Sequence, residues 1–447
     1  MKPTSIFLRF TSRLALGAFF ALLPRAEAAT FADEVARLAT LQVDASGLTP
    51  TRSVGLVVMV VTDKGTRTFG FGARSAGGAT PPDGDTFFQI GSISKSFTGL
   101  LLAAQIESSG GTLLPSTPVN ALLAPDLRMP GFGTQPVTVA QLATHYGGLP
   151  AFPTNMTGPA FYPAQGYTRA QLATYLSGFT LSAPPGTTYE YSNTGSGLLA
   201  LALGDRAGLA PYSALLSAQL TGPLGMSDTG LNEVPFANGI AARLAQGYRS
   251  TGTALVPMAL SDMGVLEGAG EIISTGNDMA KFLRVLAGLA PFPVAGAVER
   301  AVAPRAPGAT GTMTGYGLDI YTLTNGVQQW EKAGVVAGYT AYIAFRRQPG
   351  TAVAVLSNRS QHQAVASVAR EILSLLTPPT LSVEPAAPSL MRVTFPAAAR
   401  LTYEVQTSPN LSDWSSFTTV TNTTEIPTTL TFDVPMTPPS KFVRLRY

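Results

Sequence analysis

The sequence of 447 residues contains no cysteine and only two histidines, His145 and His362. Without cysteine the chain forms no disulfide bond and has no thiol nucleophile or thiolate metal ligand. Two histidines are also too few for a zinc hydrolase that relies on a cluster of histidine ligands. The motif Gly-x-Ser-x-Gly does not occur, so a hydrolase with a nucleophile elbow has no support. We therefore expect neither a metal site nor a cofactor.

Charged residues are scarce as well: Asp, Glu, Lys and Arg make up 12% of the chain, and the formal net charge is +3. No run of lysines or arginines forms a basic patch, so the sequence gives no support for nucleic-acid binding. Hydrophobic residues make up 45% of the chain, which is enough for a sizeable core. The length and composition therefore indicate a globular protein of two or three domains without a nucleic-acid partner.

The first 28 residues have the organisation of a cleavable secretory signal. Basic residues precede a short apolar core at 14–23, and Ala26-Glu27-Ala28 fits a cleavage site. The core is too short to span a membrane stably, although an uncleaved N-terminal anchor is the alternative. Cleavage after Ala28 removes four basic residues and one acidic residue, and so changes the net charge from +3 to zero. We therefore expect a periplasmic or secreted protein whose basic character belongs to the signal.

The segment Ser92-Ile93-Ser94-Lys95 has the spacing of a self-activating serine nucleophile. A serine hydroxyl needs a neighbouring base that takes its proton. The apolar run after Lys95 predicts a buried helix beginning near Ser92, and a lysine three residues later lies on the same helix face. The partial positive charge of a helix N-terminus also favours a developing oxyanion. Among the six lysines only Lys95 has a serine three residues before it, so Ser92 and Lys95 are candidate catalytic residues.

Two further segments complete the candidate site. Tyr191-Ser192-Asn193 is the only Tyr-x-Asn in the chain, and it lies between a turn-rich stretch at 184–187 and an apolar run at 198–203. This position predicts a loop that enters a helix. Lys332-Ala333-Gly334 lies in a segment that predicts a strand, with a glycine where a substrate backbone can approach closely. Taken singly, these residues could equally be a packing tyrosine, a helix cap and a strand-edge lysine.

The ordered set Ser-x-x-Lys, Tyr-x-Asn and Lys-x-Gly resembles the penicillin-recognising serine hydrolases. The similarity is greatest to class C β-lactamases and low-molecular-weight D-alanyl-D-alanine carboxypeptidases. It extends over residues 35–376 and includes four further segments, at 142–150, 223–229, 274–279 and 355–358. In the first of these segments His145 resembles a structural residue, and the base of a Ser-His-Asp triad is the alternative.

The resemblance implies a serine hydrolase that forms an acyl-enzyme on Ser92. It implies that Lys95, with a lowered pKa, activates Ser92 and that Tyr191 relays the proton. Substrate-binding roles follow for the remaining motif residues: Asn193 at the substrate amide, Lys332 at a substrate carboxylate, Gly334 beside it, and Val335, whose backbone N–H joins that of Ser92 in an oxyanion hole. The substrate would be a small molecule or a peptidoglycan peptide.

The distribution of elements predicts an α+β fold, which the resemblance makes β-lactamase/transpeptidase-like. Strands at 54–61 and 66–72, a helical region at 115–265 and strands at 315–357 fit one antiparallel sheet flanked by helices, closed by both chain ends and carrying a helical insertion. The predicted boundaries are a signal peptide at 1–28, a catalytic domain at 29–376, a Pro-rich linker at 377–388 and a small all-β, sandwich-like module at 389–447. This module is either a contact to a cell surface or glycan, or a passive appendage.

Two departures from the family pattern leave the substrate open. The third motif carries Ala333 where the family usually has Thr or Ser, which removes a hydrogen bond worth about 1.5–3 kcal/mol to a charged group. After Leu149-Pro150 the chain continues with Ala151-Phe152, where class C enzymes tend to have a glutamine. Three functions are therefore compatible with the sequence: an amidohydrolase acting on β-lactams or D-Ala-D-Ala peptides, an esterase with the same catalytic residues, and a non-catalytic binding protein.

Overall fold

The computed structural model describes residues 30–232, 240–309, 311–376, 381–387, 390–397, 402–410, 412–424, 428–435 and 442–446. The predicted signal peptide at 1–28 lies outside the described residues. The chain divides into two compact units: residues 39–373 form the main unit, and the described residues before 39 group with those from 374 onward. In the described ranges no helix is both long and apolar enough to cross a membrane.

The main unit is built around one large antiparallel sheet. The strands of the unit are β1 Gly55–Thr62, β2 Gly65–Gly72, β3 Phe87–Gln89, β4 Gly247–Ser250, β5 Leu255–Met258, β6 Ile273–Thr275, β7 Ala306–Pro307, β8 Met313–Thr314, β9 Asp319–Thr322, β10 Gln328–Val335, β11 Thr340–Arg347 and β12 Gly350–Ser357. Eight of them form the large sheet, in the order β2-β1-β12-β11-β10-β9-β8-β7. Because β1 pairs with β12, early and late parts of the chain close the sheet together, which confirms the predicted topology.

Helix α1 Phe31–Thr40 belongs mainly to the smaller unit. The helices of the main unit flank its sheet and are α2 Ser94–Ser108, α3 Val139–Ala143, α4 Arg169–Gly178, α5 Asn193–Ala207, α6 Tyr212–Leu216, α7 Ile240–Arg243, α8 Gly276–Leu286, α9 Ala297–Val302 and α10 Ala364–Leu375, which ends just beyond the unit boundary. Strand β1 is buried along its whole length, as expected for a strand of continuous hydrophobic sequence with both faces covered. Helix α8 packs against β1 and β12.

Two helices in the insertion begin where the candidate catalytic residues lie. Helix α2 is buried from Ser94 to Ile106, because it is apolar on nearly all sides and passes through the core. Helix α5 begins after Ser192, whose hydroxyl accepts a hydrogen bond of 2.8 Å from the backbone N–H of Gly195. Such an N-cap satisfies one of the free N–H groups of the first turn. The cap fixes the point at which the Tyr191-Ser192-Asn193 loop becomes helix, as the sequence predicts.

The C-terminal part of the chain consists of strands, as predicted. They form two three-stranded antiparallel sheets around a small core of Val393, Val405, Val434 and Val443. The strands are β13 Ser382–Ala387, β14 Leu390–Ala397, β15 Thr402–Ser408, β16 Ser415–Thr421, β17 Thr428–Pro435 and β18 Phe442–Arg446. Strand β13 pairs with β14, so residues 382–387 of the predicted Pro-rich linker are part of a sheet, and the linker prediction is wrong for these residues. Pro385 is tolerated there because β13 lies at the edge of its sheet.

Candidate active site

The predicted nucleophile lies in a tight turn at the entrance to helix α2. Ser92 is the middle residue of a single turn of 3₁₀-helix, Gly91–Ile93, and the α-helix begins at Ser94. This turn packs closely against the end of strand β10. A Cβ atom on Gly91 would lie only 2.7 Å from the backbone nitrogen of Val335. A glycine is therefore required at position 91, and the nucleophile lies next to the strand that carries the Lys-x-Gly motif.

The hydroxyl of Ser92 accepts two hydrogen bonds from the other two predicted catalytic side chains. Lys95 Nζ donates to Ser92 Oγ at 3.0 Å, and the Tyr191 hydroxyl donates to the same oxygen at 2.7 Å. Lys95 Nζ also donates to Asn193 Oδ1 and to the carbonyl oxygen of Ala269, each at 2.7 Å. The three donors of the ammonium group are thereby all used. The structure thus brings the first two sequence motifs together around one oxygen atom.

The surroundings lower the pKa values of both Lys95 and Tyr191. Burial lowers the pKa of Lys95, and the nearby cation of Lys332 lowers it further, against the opposing effect of Tyr191. Burial alone would raise the pKa of Tyr191, but the positive charges of Lys95 and Lys332 outweigh it and lower this pKa to about 8. Both groups therefore release a proton more readily than a free lysine or tyrosine, as acid–base catalysis near neutral pH requires.

Lys332 reaches the same tyrosine from strand β10. Its Nζ lies 5.2 Å from the centre of the Tyr191 ring and forms an ion pair of 3.2 Å with Asp319 Oδ2. Burial would lower the pKa of Lys332, but Tyr191 and Asp319 raise it above its ordinary value. Lys332 consequently remains a cation throughout the physiological pH range and stabilises the phenolate of Tyr191.

The end of strand β10 presents alternate residues to opposite sides. Lys332 and Gly334 are buried, whereas Ala333 and Val335 are exposed, because successive side chains of a strand point to opposite faces. The sequence predicted Gly334 as a place where a substrate approaches closely. In the structure the close neighbour is the nucleophile turn instead, since a Cβ on Gly334 would lie 1.9 Å from the carbonyl oxygen of Ile90. Gly334 therefore positions Ser92 against the strand.

His145 supports the tyrosine loop and has no role as a base for Ser92. Its Nδ1 accepts a hydrogen bond of 3.2 Å from the backbone N–H of Ser192, and its ring lies 4.5 Å from that of Tyr191. Burial, together with the cations Lys332 and Lys95, lowers the pKa of His145 well below 6.5. The ring therefore stays neutral and holds the loop between Tyr191 and Asn193 in place.

Sequence reasoning missed two groups of the site. One is Asp319, which lies on strand β9 and pairs with Lys332 only because β9 and β10 are neighbours. The other is the carbonyl oxygen of Ala269, a backbone acceptor that any residue type would supply. Neither Asp319 nor Ala269 belongs to a local sequence motif, so only the three-dimensional structure shows that they are part of the site. In the part of the chain that the structure describes, no group of three or more His, Asp or Glu residues is arranged to hold a metal ion.

Comparison with known proteins agrees with this geometry. A family model described as Beta-lactamase matches residues 40–377. The chain therefore belongs to the beta-lactamase family and is a serine hydrolase of the penicillin-recognising type.

Individual relatives are consistent with this assignment. The D-alanyl-D-alanine-carboxypeptidase/endopeptidase AmpH of Escherichia coli K12 is 30% identical over 286 residues, which is 64% of this chain and 69% of AmpH. Among solved structures, the octameric penicillin-binding protein homologue from Pyrococcus abyssi matches with a TM-score of 0.66 and 21% identity, covering 92% of this chain and 100% of its own. A beta-lactamase/D-alanine carboxypeptidase from Yersinia pestis matches with a TM-score of 0.63 and 22% identity, covering 77% and 98%. The two structures show the fold, and the predicted α+β class is confirmed.

Proposed function

We propose that this serine hydrolase cleaves the amide bond of β-lactams and D-alanyl-D-alanine peptides through an acyl-enzyme on Ser92. The observation that carries the proposal is the pair of hydrogen bonds that Lys95 and Tyr191 make to Ser92 Oγ. A serine nucleophile requires neighbouring groups that take and return its proton, and these two side chains are in position to do so.

Acylation starts from the form of the site in which Lys95 and Tyr191 together have lost one proton, so that Tyr191 is a phenolate beside the Lys95 ammonium or, after proton exchange, a phenol beside the neutral amine. Ser92 Oγ attacks the carbonyl carbon of the substrate, and its proton passes to this pair at the oxygen of Tyr191. The positive charges of Lys95 and Lys332 stabilise the phenolate that receives this proton. Backbone N–H groups of Ser92 and Val335 stabilise the oxyanion of the tetrahedral intermediate. The C–N bond then breaks, and Tyr191 returns the proton to the leaving nitrogen. An ester bond now joins the acyl group to Ser92.

Deacylation repeats the proton transfers in reverse with water as the nucleophile. Water loses a proton to the Tyr191 phenolate as its oxygen attacks the ester carbon, and Ser92 Oγ recovers a proton as the C–O bond breaks. Asn193 holds Lys95 in place through its Oδ1 atom, and we assign its amide N–H to the substrate amide. The positive charge of Lys332 attracts a substrate carboxylate, which lies beside the exposed residue Ala333.

The activities for which the relatives are named favour amide substrates over esters. AmpH is described as a D-alanyl-D-alanine carboxypeptidase and endopeptidase, and a relative from Lysobacter lactamgenus, 28% identical, is described as a beta-lactamase. The permanent cation at Lys332 fits the same choice, because both β-lactams and D-Ala-terminated peptides carry a carboxylate. We also propose export through residues 1–28 to the periplasm or the exterior, while a surface or glycan contact through residues 389–447 remains a prediction.

A covalent labelling experiment tests the function. Residues 29–447 would be incubated with a fluorescent penicillin, and intact-mass and peptide mapping would locate the label, which we expect on Ser92. Ser92→Ala should abolish labelling, whereas Ser108→Ala, a control at the far end of the same helix, should not. Turnover of nitrocefin, a D-Ala-D-Ala peptide and p-nitrophenyl butyrate would then rank the substrates. Labelling that persists in Ser92→Ala, or turnover of the ester alone, would refute the proposal.

A further inference from the structure

A cavity of about 320 Å³ opens beside the end of strand β10. Its lining includes Phe152, Phe161, Arg249, Asp262 and the consecutive residues 335–337. The proposed mechanism places the carbonyl of the scissile bond at the backbone N–H of Val335. Lys332 and Ala333, which attract the carboxylate of the leaving group, precede Val335 on the strand, whereas the cavity follows it. The acyl part of the substrate therefore points into this cavity.

The cavity contains a cation whose hydrogen-bonding capacity is largely unused. The guanidinium of Arg249 lies 4.0 Å from the centre of the Phe161 ring. Its Nε is buried without a hydrogen-bond partner, and its Nη1 makes only a long contact of 3.4 Å with the carbonyl oxygen of Ser250. Buried donors of this kind are rarely left unpaired, and a guanidinium pairs best with a carboxylate, which accepts two parallel hydrogen bonds.

Asp262, the carboxylate that lines the cavity, does not form an ion pair with Arg249 in the described parts of the chain. Asp262 accepts hydrogen bonds from the backbone N–H groups of Gly264 at 2.6 Å and Gly166 at 3.2 Å. It thereby ties two loops together. Arg249 is thus available to an anion that enters from outside.

The backbone of the cavity wall is held in unusual conformations. Phe161 and Gln361 both line the cavity, and their φ angles are +71° and +55°. Bulky residues rarely adopt this left-handed region. Such conformations persist where the surroundings fix them, and they are concentrated at ligand-binding and catalytic sites. The ring of Phe161 is held against the guanidinium of Arg249 on the wall of the cavity.

We propose that this cavity selects substrates whose acyl group carries a carboxylate at its far end, which pairs with the guanidinium of Arg249 above Phe161. The inference rests on the proposed function, since it concerns the acyl side of the same site. The aromatic wall accommodates the apolar stem of the acyl group, and the cation holds its charged end. Neutral acyl groups of the same size fill the cavity but leave Arg249 unpaired.

A pair of substrates that differ only in charge tests the proposal. They are D-Ala-D-Ala peptides acylated with a 4-carboxybutanoyl group or with the isosteric 4-carbamoylbutanoyl group. In the wild-type protein we expect kcat/KM to be about tenfold higher for the acid, mainly through a lower KM, because a charge-assisted pair is added. Arg249→Gln should remove this preference, Arg249→Lys should retain part of it, and Arg52→Gln, which removes an equal charge outside the cavity, should leave it intact.

A second variant, Phe161→Leu, and the labelling of Ser92 distinguish failure of this inference from failure of the proposed function. Phe161→Leu alters a ring that is 55% exposed, so it spares the core, and it should also reduce the preference. Equal kcat/KM for both peptides, or an equal loss on both in Arg249→Gln, would assign Arg249 to structure and overturn the inference. Labelling of Ser92 by fluorescent penicillin is scored in every variant. Labelling without charge preference refutes only the inference, whereas absence of both labelling and turnover in the wild type refutes the proposed function.

Discussion

Lys95 and Lys332 are both nearly fully buried, with exposed fractions of 2% and 4%, yet burial has opposite consequences for them. Lys95 lies in the first turn of helix α2 and Lys332 on strand β10. Their ammonium groups lie 4.8 Å and 5.2 Å from the centre of the Tyr191 ring. The pKa of Lys95 is lowered by burial, whereas that of Lys332 is raised by Tyr191 and Asp319 in spite of burial.

The difference arises from the chemistry of the hydrogen-bond partners. Lys95 donates to a hydroxyl, an amide oxygen and a backbone carbonyl oxygen, all neutral. Lys332 has a carboxylate partner, Asp319. A buried cation without a carboxylate gives up its proton more easily, while an ion pair retains it. One lysine is thereby suited to proton exchange and the other to a fixed positive charge, although both belong to one site.

Removal of the Lys95 amine, the group suited to proton exchange, should lower the turnover rate more than the changes at Lys332 and Ala333. We expect Lys95→Met to lower kcat for a D-Ala-D-Ala peptide by about 10²–10⁴-fold, the contribution of a positioned acid–base group. Lys95→Arg should be similarly impaired, because arginine keeps its proton at every working pH.

Lys281→Met is the matched control for this comparison, because its side chain is 44% exposed and lies outside the site. Circular dichroism and the melting temperature would show that each variant folds. Near wild-type turnover by Lys95→Arg would contradict the division of roles between the two buried lysines.

Removal of the positive charge of Lys332 should change how the reaction rate depends on pH. The cation of Lys332 helps to lower the pKa of Tyr191 to about 8, so Lys332→Met should raise it. Because the phenolate is the base, the rate increases with pH up to this pKa, and the variant should require a higher pH. Each unit of upward shift lowers the rate at pH 7 by about tenfold.

A neutral ester, p-nitrophenyl butyrate, isolates this effect because it has no carboxylate for Lys332 to attract. Lys332→Arg should keep the wild-type profile, since it keeps the charge. An unchanged pH profile in Lys332→Met would show that Lys332 does not act on Tyr191.

The sequence predicts those parts of the site that depend on short-range spacing. Ser92 and Lys95 are three residues apart at the start of a helix. The Tyr191-Ser192-Asn193 segment lies between a turn-rich stretch and an apolar run, and it enters a helix. Both arrangements follow from the local sequence pattern. The strands at 54–61 and 66–72 were likewise predictable, because a continuous apolar run and a second short run are separated by a turn.

Groups that meet only through the fold were beyond prediction from one sequence. Asp319 reaches Lys332 across two paired strands, and the residues of the acyl cavity come from separate parts of the chain. Gly334 was recognised as a position of close approach, but the approaching group, the turn at Ile90, is more than 240 residues away in sequence. The strand at 382–387 was hidden by Pro385, since an edge strand tolerates a proline that a central strand excludes.

The smallest effect should come from the exposed edge beside Lys332. In the proposed mechanism a hydroxyl at position 333 would donate to the substrate carboxylate, and Ala333 is exposed on strand β10. Ala333→Thr should raise kcat/KM for D-Ala-terminated peptides and β-lactams by up to about tenfold, the value of one regained hydrogen bond to a charged group.

The gain in Ala333→Thr should be confined to substrates that carry a carboxylate, so p-nitrophenyl butyrate is the control substrate and Ala333→Val the control variant of equal shape. Valine at this position fills the same space but donates no hydrogen bond, and it should give no gain. If valine and threonine raise turnover equally, position 333 acts through packing. In that case the fixed charge of Lys332 would serve Tyr191 alone, and the two lysines would both belong to the proton-transfer half of the site.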